Sequence, residues 1–177
     1  MPGPLQRTSS LIEAEYNVFT IGGPDAFPGS QVRPYDNGLV SATPADPHTC
    51  AVIVTGIYDG DVHVTAETWR HRPPVPDLGQ WQDVIEISVA WPGGRMQVIG
   101  ADVDPPSRAV FGDAQPPGGY RMRVAGRNRD DGEARTADLP PEQYLVQVWP
   151  GPPAPDRVFK ATSETAAYWA AAGPPRG

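Results

Sequence analysis

The sequence predicts an all-β fold, an antiparallel β-sandwich of about eight or nine short strands with a short C-terminal helix; a β-barrel is the alternative. Three observations predict it. Apolar residues recur in short runs or at every second position, the period of a half-buried strand. Turn-forming residues interrupt those runs every 8–15 residues or so, drawing on 23 prolines and 19 glycines in 177 residues. Only the tail, "SETAAYWAAA" (163–172), shifts to helix-forming composition. A chain of this length buries one core of ordinary size. Residues 11–172 are therefore expected to form a single domain, with 1–10 and 173–177 as flexible termini.

Taken in order, "LIEAEYNVFTI" (11–21) alternates acidic and apolar residues before turning apolar, as a half-buried strand does. A Pro/Gly/Asp-rich connection follows at 22–38. "CAVIVTGIY" (50–58) is nearly all apolar and "DVHVTAETW" (61–69) alternates, with Asp59-Gly60 between them; the pattern predicts a β-hairpin over 51–69. The prolines of "RHRPPVPDLGQ" (70–80) cannot donate to a ladder, so this is a loop. "WQDVIEISVAW" (81–91) and "RMQVIGADV" (95–103) read as strands joined by a PGG turn, and "RAVFG" (108–112) as a short strand. "YRMRVAGRNRD" (120–130), "QYLVQVWP" (143–150) and the edge candidate "RVFKAT" (157–162) complete the strands. Thr162 or Ser163 caps the terminal helix, which is expected to dock through Tyr168 and Trp169.

The chemistry is sparse. Cys50 is the only cysteine, so an intramolecular disulfide and a Cys-rich zinc site are excluded; it opens an apolar run, where a small buried hydrophobe is expected. Nucleophile-elbow, phosphate-loop and dinucleotide-binding motifs are absent. The metal candidate is His63, Glu67 and His71, which share one parity on the strand beginning at Asp61. Residues four apart on a strand stand ~13 Å from each other, too far to share one ion without a bulge. The expectation is no metal and no cofactor, with a metal-dependent enzyme built on those three residues kept as an alternative. Trp81, Trp91 and Trp149 lie at strand ends, where they close a core; Trp69 is the aromatic candidate for a partner surface. The five tryptophans leave a small-ligand or carbohydrate-binding module open.

The most charged stretch carries Arg121, Arg123, Arg127 and Arg129, all of one parity, opposite inward-facing Tyr120, Met122 and Val124. They form either a partner-binding strip or an outer strand face neutralised by cross-strand Glu142, Glu86 or Asp83; neutralisation is the expected arrangement. With a net charge of −7 and no stacking aromatics among these arginines, the chain is not expected to bind nucleic acid. No run approaches a signal peptide or a membrane span, so a cytoplasmic location is expected. The oligomeric state cannot be read from the sequence.

"WQDVIEISV", "YRMRVAGRNRD" and "EQYLVQVWPGPPAPDRVFKATSETAAYW" together resemble a small actinobacterial β-sandwich family, and "VIVTGIYDGDVHVTAETW" is similar to its earlier segment. The layout also resembles the competence-protein-J family, inhibitors of a DNA-entry nuclease, in its aromatic N-terminal strand, middle hairpin and "YLVQVWP" late strand. That resemblance implies a non-enzymatic, protein-binding sandwich of the inhibitor or immunity kind, with a basic toxin or nuclease as partner. It carries over no individual residue.

Overall fold

In a computed structural model the described residues are 2–23, 25–26, 36–43, 47–91, 93–101, 109–111, 116–136 and 138–172. The tail 173–177, most of the predicted 22–38 connection and the whole of 102–108 lie outside them. The described strands are β1 (Gln6–Ala14), β2 (Val18–Gly22), β3 (Val40–Ala42), β4 (Thr49–Val54), β5 (Gly60–Thr68), β6 (Asp83–Trp91), β7 (Gln97–Ile99), β8 (Gly118–Arg127), β9 (Gln143–Pro150) and β10 (Arg157–Ala161); helix α1 is Glu164–Ala172. They form two open sheets, one ordered β1-β5-β9-β8-β6-β10 and the other β3-β4-β2-β7. The all-β sandwich is thus the observed architecture, and the described strands do not close into a barrel.

Alternation builds the core between the sheets. Val62, Val64 and Ala66 of β5, Met122 and Val124 of β8, and Val146 and Val148 of β9 face Phe19, Ile21, Ala51 and Ile53 of the smaller sheet. Each fully buried aliphatic side chain of this kind stabilises by about 1.5–3 kcal/mol. Cys50 belongs to this core, 2% exposed, and burial pushes its thiol pKa up to about 12.

Several expected connections differ. Residues 51–69 do not form a hairpin: β4 pairs with β2 and β3, whereas β5 pairs with β1 and β9 in the other sheet. The turn residues are present, with Gly60 at φ 145°, but the chain crosses between layers. The reason lies in β4, which is buried along its whole length. Ala51 and Ile53 face the main core, while Val52 and Val54 form a second cluster under Trp169 of α1. The turn through Gly93 and Gly94 (φ 109° and 89°) likewise carries β6 into β7 of the opposite sheet.

The 11–21 segment is two strands. Tyr16 and Asn17, at φ 55° and 62°, make a two-residue turn bridged by Glu15 and Val18, and β1 starts at Gln6 rather than at residue 11. The pairing is not wholly antiparallel, because β5 and β9 run parallel from His63 opposite Gln143 to Thr68 opposite Val148. Of the expected 108–112 strand, residues 108 and 112 lie outside the described residues, and Val110 makes a bridge to Gln97.

Helix α1 forms where expected. The Ser163 hydroxyl accepts a hydrogen bond from the Ala166 amide at 2.9 Å, and Asp130 accepts from the amides of Glu164 and Thr165. Its docking differs from expectation: Ala166 is buried and Trp169 packs on Val52 and Val54, but Tyr168 points outward at 67% exposure. Gly38 permits the close approach, since a Cβ there would overlap the Ala166 carbonyl.

Candidate functional site

The arginines of β8 mark the centre of a polar row on the outer face of the larger sheet. Pairing register places Arg7, Glu67, Gln147, Arg123, Glu86 and Arg157 opposite one another across β1, β5, β9, β8, β6 and β10. Hydrogen bonds link most of the row. Arg7 Nη1 donates to Glu67 Oε1 at 2.8 Å, and Gln147 Nε2 donates to Glu67 Oε2 at 2.9 Å. Arg123 donates to Gln147 Oε1 and to Glu86 Oε2, both at 3.2 Å. One rung therefore crosses all six strands with acids and bases interleaved.

Although it is the outer face of the sheet, this part of it is shielded from solvent. Arg123 is 1% exposed and Arg121 5%. Two proline-rich segments cover them and supply acceptors. The carbonyls of Pro73 and Pro74 accept from Arg123, and those of Ala154 and Pro155 from Arg121. Arg121 also binds Glu86 Oε1 and Ser88 Oγ. Arg123 lies 5.1 Å from the Trp149 ring centre and 5.5 Å from that of Phe159. Burial pulls the Arg123 pKa below its ordinary value; Glu86 opposes this, and Arg72 and Arg157 add to it. For Glu86, burial alone would raise the pKa, but hydrogen bonds from Arg121 and Arg72 and the charge of Arg123 outweigh it and hold the carboxyl below its ordinary range.

The other two arginines part company. Arg127 stays on the outer face, half-buried, with its guanidinium 4.9 Å from the Trp81 ring centre and bonded to Gln143 Oε1. Arg129 leaves it, because Asn128 sits at φ 58° and breaks the strand alternation. Its side chain is fully buried. It pairs with Asp83 Oδ2 at 2.5 Å and donates to Ser163 Oγ, Tyr144 Oη and the carbonyls of Gly38 and Val54. Of the expected neutralising acids, Glu86 and Asp83 do pair with arginines. Glu142 instead binds the amides of Gly56 and Ile57 and the Tyr144 hydroxyl, fixing the β4–β5 crossover. Burial pushes the Glu142 pKa up, and these bonds offset only part of that rise.

The metal candidates are not gathered into a site. Glu67 is committed to Arg7, Gln147 and the Trp69 indole at 2.8 Å. His63 is half-buried within β5, and His71 is exposed beyond its end. Among the described residues no group of three or more histidines, cysteines and carboxylates is placed to hold a metal ion. Trp91 closes the core as expected, but Trp149 is buried on the opposite face against Arg123, and Trp81 is only half-buried. A cleft of about 530 Å³ beside the rung is lined by His71, Arg72, Arg121, Trp149 and Arg157. Arg72 and Arg121 already donate to Glu86, so the rung is chiefly a device for holding its covering loops. Sequence parity identified Arg121 and Arg123 but not the cover; the signal missed was proline carbonyls lacking ladder partners.

No family model matches the chain, and no curated protein does. No helix among the described residues is long and apolar enough to cross a membrane. Two solved structures are similar. "Crocagin biosynthetic gene J" has a TM-score of 0.48 at 16% identity, covering 84% of this chain and 100% of its own. ComJ from Bacillus subtilis, described as an inhibitor of the DNA-degrading activity of NucA, has a TM-score of 0.54 at 13% identity, covering 85% of this chain and 99% of its own. In architecture, then, the chain bears a distant resemblance to the ComJ family.

Proposed function

We propose that this chain is a cytoplasmic, non-enzymatic protein-binding module that inhibits a basic nuclease or toxin. The observation that carries the reading is the alignment of nearly the whole ComJ structure, a nuclease inhibitor, on this chain. Charge supports it. A protein of net charge −7 is attracted to the basic surface a nuclease presents to DNA, and such complementarity speeds encounter. The arginines Arg121, Arg123 and Arg129 do not contribute, being held inside the protein. Arg127 and Trp69 are the half-buried remainder of the earlier candidates.

The test is capture on the immobilised chain from lysate of its source, followed by a DNA-degradation assay of the retained protein. The expected result is a retained nuclease whose activity falls to near zero at a one-to-one ratio. Retention of no protein, with no effect on nucleases encoded beside its gene, overturns the proposal.

A further inference from the structure

One end of the sandwich presents a group of exposed aromatic rings beside exposed carboxylates. At the β1–β2 turn Tyr16 is 55% exposed, and at the β4–β5 crossover Tyr58 is 45% exposed; their rings meet edge to face with centres 5.5 Å apart. Asn17 donates its amide to the Tyr58 carbonyl, tying the two corners together. Beside them a hollow of about 300 Å³ is lined by Asn17, Gly56, Asp130, Glu164, Tyr168 and Trp169. Tyr168 and Trp169 form a second edge-to-face pair at 5.4 Å. Three exposed tyrosines, Tyr16, Tyr58 and Tyr168, thus stand around one concave surface, with the half-buried Trp169 at its floor.

The polar residues of this end are acidic. Glu13 lies directly opposite Asp61 in the β1–β5 pairing, both exposed, and Glu15 and Asp59 follow at the corners. The hollow itself has two carboxylate residues and no basic residue in its lining. Rigid aromatics provide contact area at low entropic cost, and surrounding carboxylates select a cationic partner.

We propose that this end, centred on Tyr16, Tyr58 and Tyr168 and rimmed by Glu13, Asp61 and Glu164, is the surface that docks a protein bearing a lysine- and arginine-rich patch. The inference rests on the inhibitor reading and assigns it a surface. A second copy of this chain is a poor occupant, since it would bring the same carboxylates together.

The decisive variant is Asp61→Asn. It keeps the size of an exposed side chain and removes only its charge, so its melting temperature should stay close to that of the parent. Its affinity for the nuclease retained in the capture experiment should nonetheless fall severalfold, with a weaker salt dependence. Tyr58→Ala combined with Tyr168→Ala should weaken binding about tenfold or more, with circular dichroism showing an unchanged fold. A photo-crosslinking residue placed at position 58 and, separately, at Val158 on the distant β10 edge locates the contact in the same lysate. An adduct with the DNA-degrading protein from position 58 and none from 158 supports the proposal. An inhibited nuclease that cross-links only at 158, or binds Asp61→Asn and the tyrosine variant as tightly as the parent, overturns this surface and leaves the inhibitor reading standing. No adduct at either position and no inhibition overturns both. A salt-insensitive dimer abolished by the tyrosine changes makes the occupant a second copy and overturns the basic partner.

Discussion

Arg129 shows how much a single side chain can organise. Its guanidinium bonds to both sheets and to the residue that caps α1, through Val54, Asp83 and Ser163. Removing one partner of a buried pair leaves the other uncompensated, typically at a cost of about 3–5 kcal/mol. Arg129→Ala is therefore expected to lower unfolding free energy by about that much in urea denaturation, whereas Arg157→Ala, at an exposed position, should change it by less than about 0.5 kcal/mol. At Cys50, 2% exposure and a thiol pKa raised to about 12 predict no reaction with a thiol reagent at pH 8 in the native state and full reaction in denaturant. At this scale the sequence was half legible. Strand parity separated inward Met122 and Val124 from outward Arg121 and Arg123. It could not register Asn128, whose positive φ turns Arg129 into the interior, since asparagine takes that conformation only where the surroundings favour it.

The β4–β5 crossover is the element most dependent on one acid. Glu142 closes it by accepting from the Gly56 and Ile57 amides while its own pKa is raised by burial. A carboxyl that binds its proton more tightly in the folded state makes stability fall as pH rises from the unfolded value of about 4.3 through the folded one. Glu86 has the opposite sign: its depressed pKa gives stability that is present above the unfolded value and lost as pH falls through the folded one. Melting temperatures measured from pH 3 to 7 should accordingly show a smaller decline above pH 4.5 in Glu142→Gln than in the parent. Gly56→Ala should destabilise by more than about 1 kcal/mol in the same assay, because a Cβ there would overlap the Arg129 carbonyl. The sequence placed this turn correctly and assigned it the wrong partner. A tight-turn pair such as Asp59-Gly60 specifies reversal, but the burial of β4 on both faces decides that reversal leads to the other sheet.

For the whole molecule, charge and architecture carry different information. The sandwich was readable because short alternating runs with frequent turns admit few other folds. The sheet order was not, because β1 meets β5 and β5 meets β9 through register that no local window contains. The net charge of −7 acts over the distance that salt permits, about 30 Å at 0.01 M and 8 Å at 0.15 M ionic strength. Stopped-flow association with a basic partner should therefore slow about tenfold or more between those salt concentrations, with dissociation changing far less. An association rate indifferent to salt would remove electrostatics from the recognition.

The parallel pairing of β5 with β9 also bears on synthesis. On an emerging nascent chain β5 can find β1 early, but its second edge stays open until the segment from Gln143 to Pro150 has left the ribosome. For that interval Val62, Val64 and Ala66 belong to a ribbon whose central neighbour has not been made. A chaperone that shields unfinished sheet edges should accordingly associate with chains stalled before residue 143 and release those stalled well past residue 161.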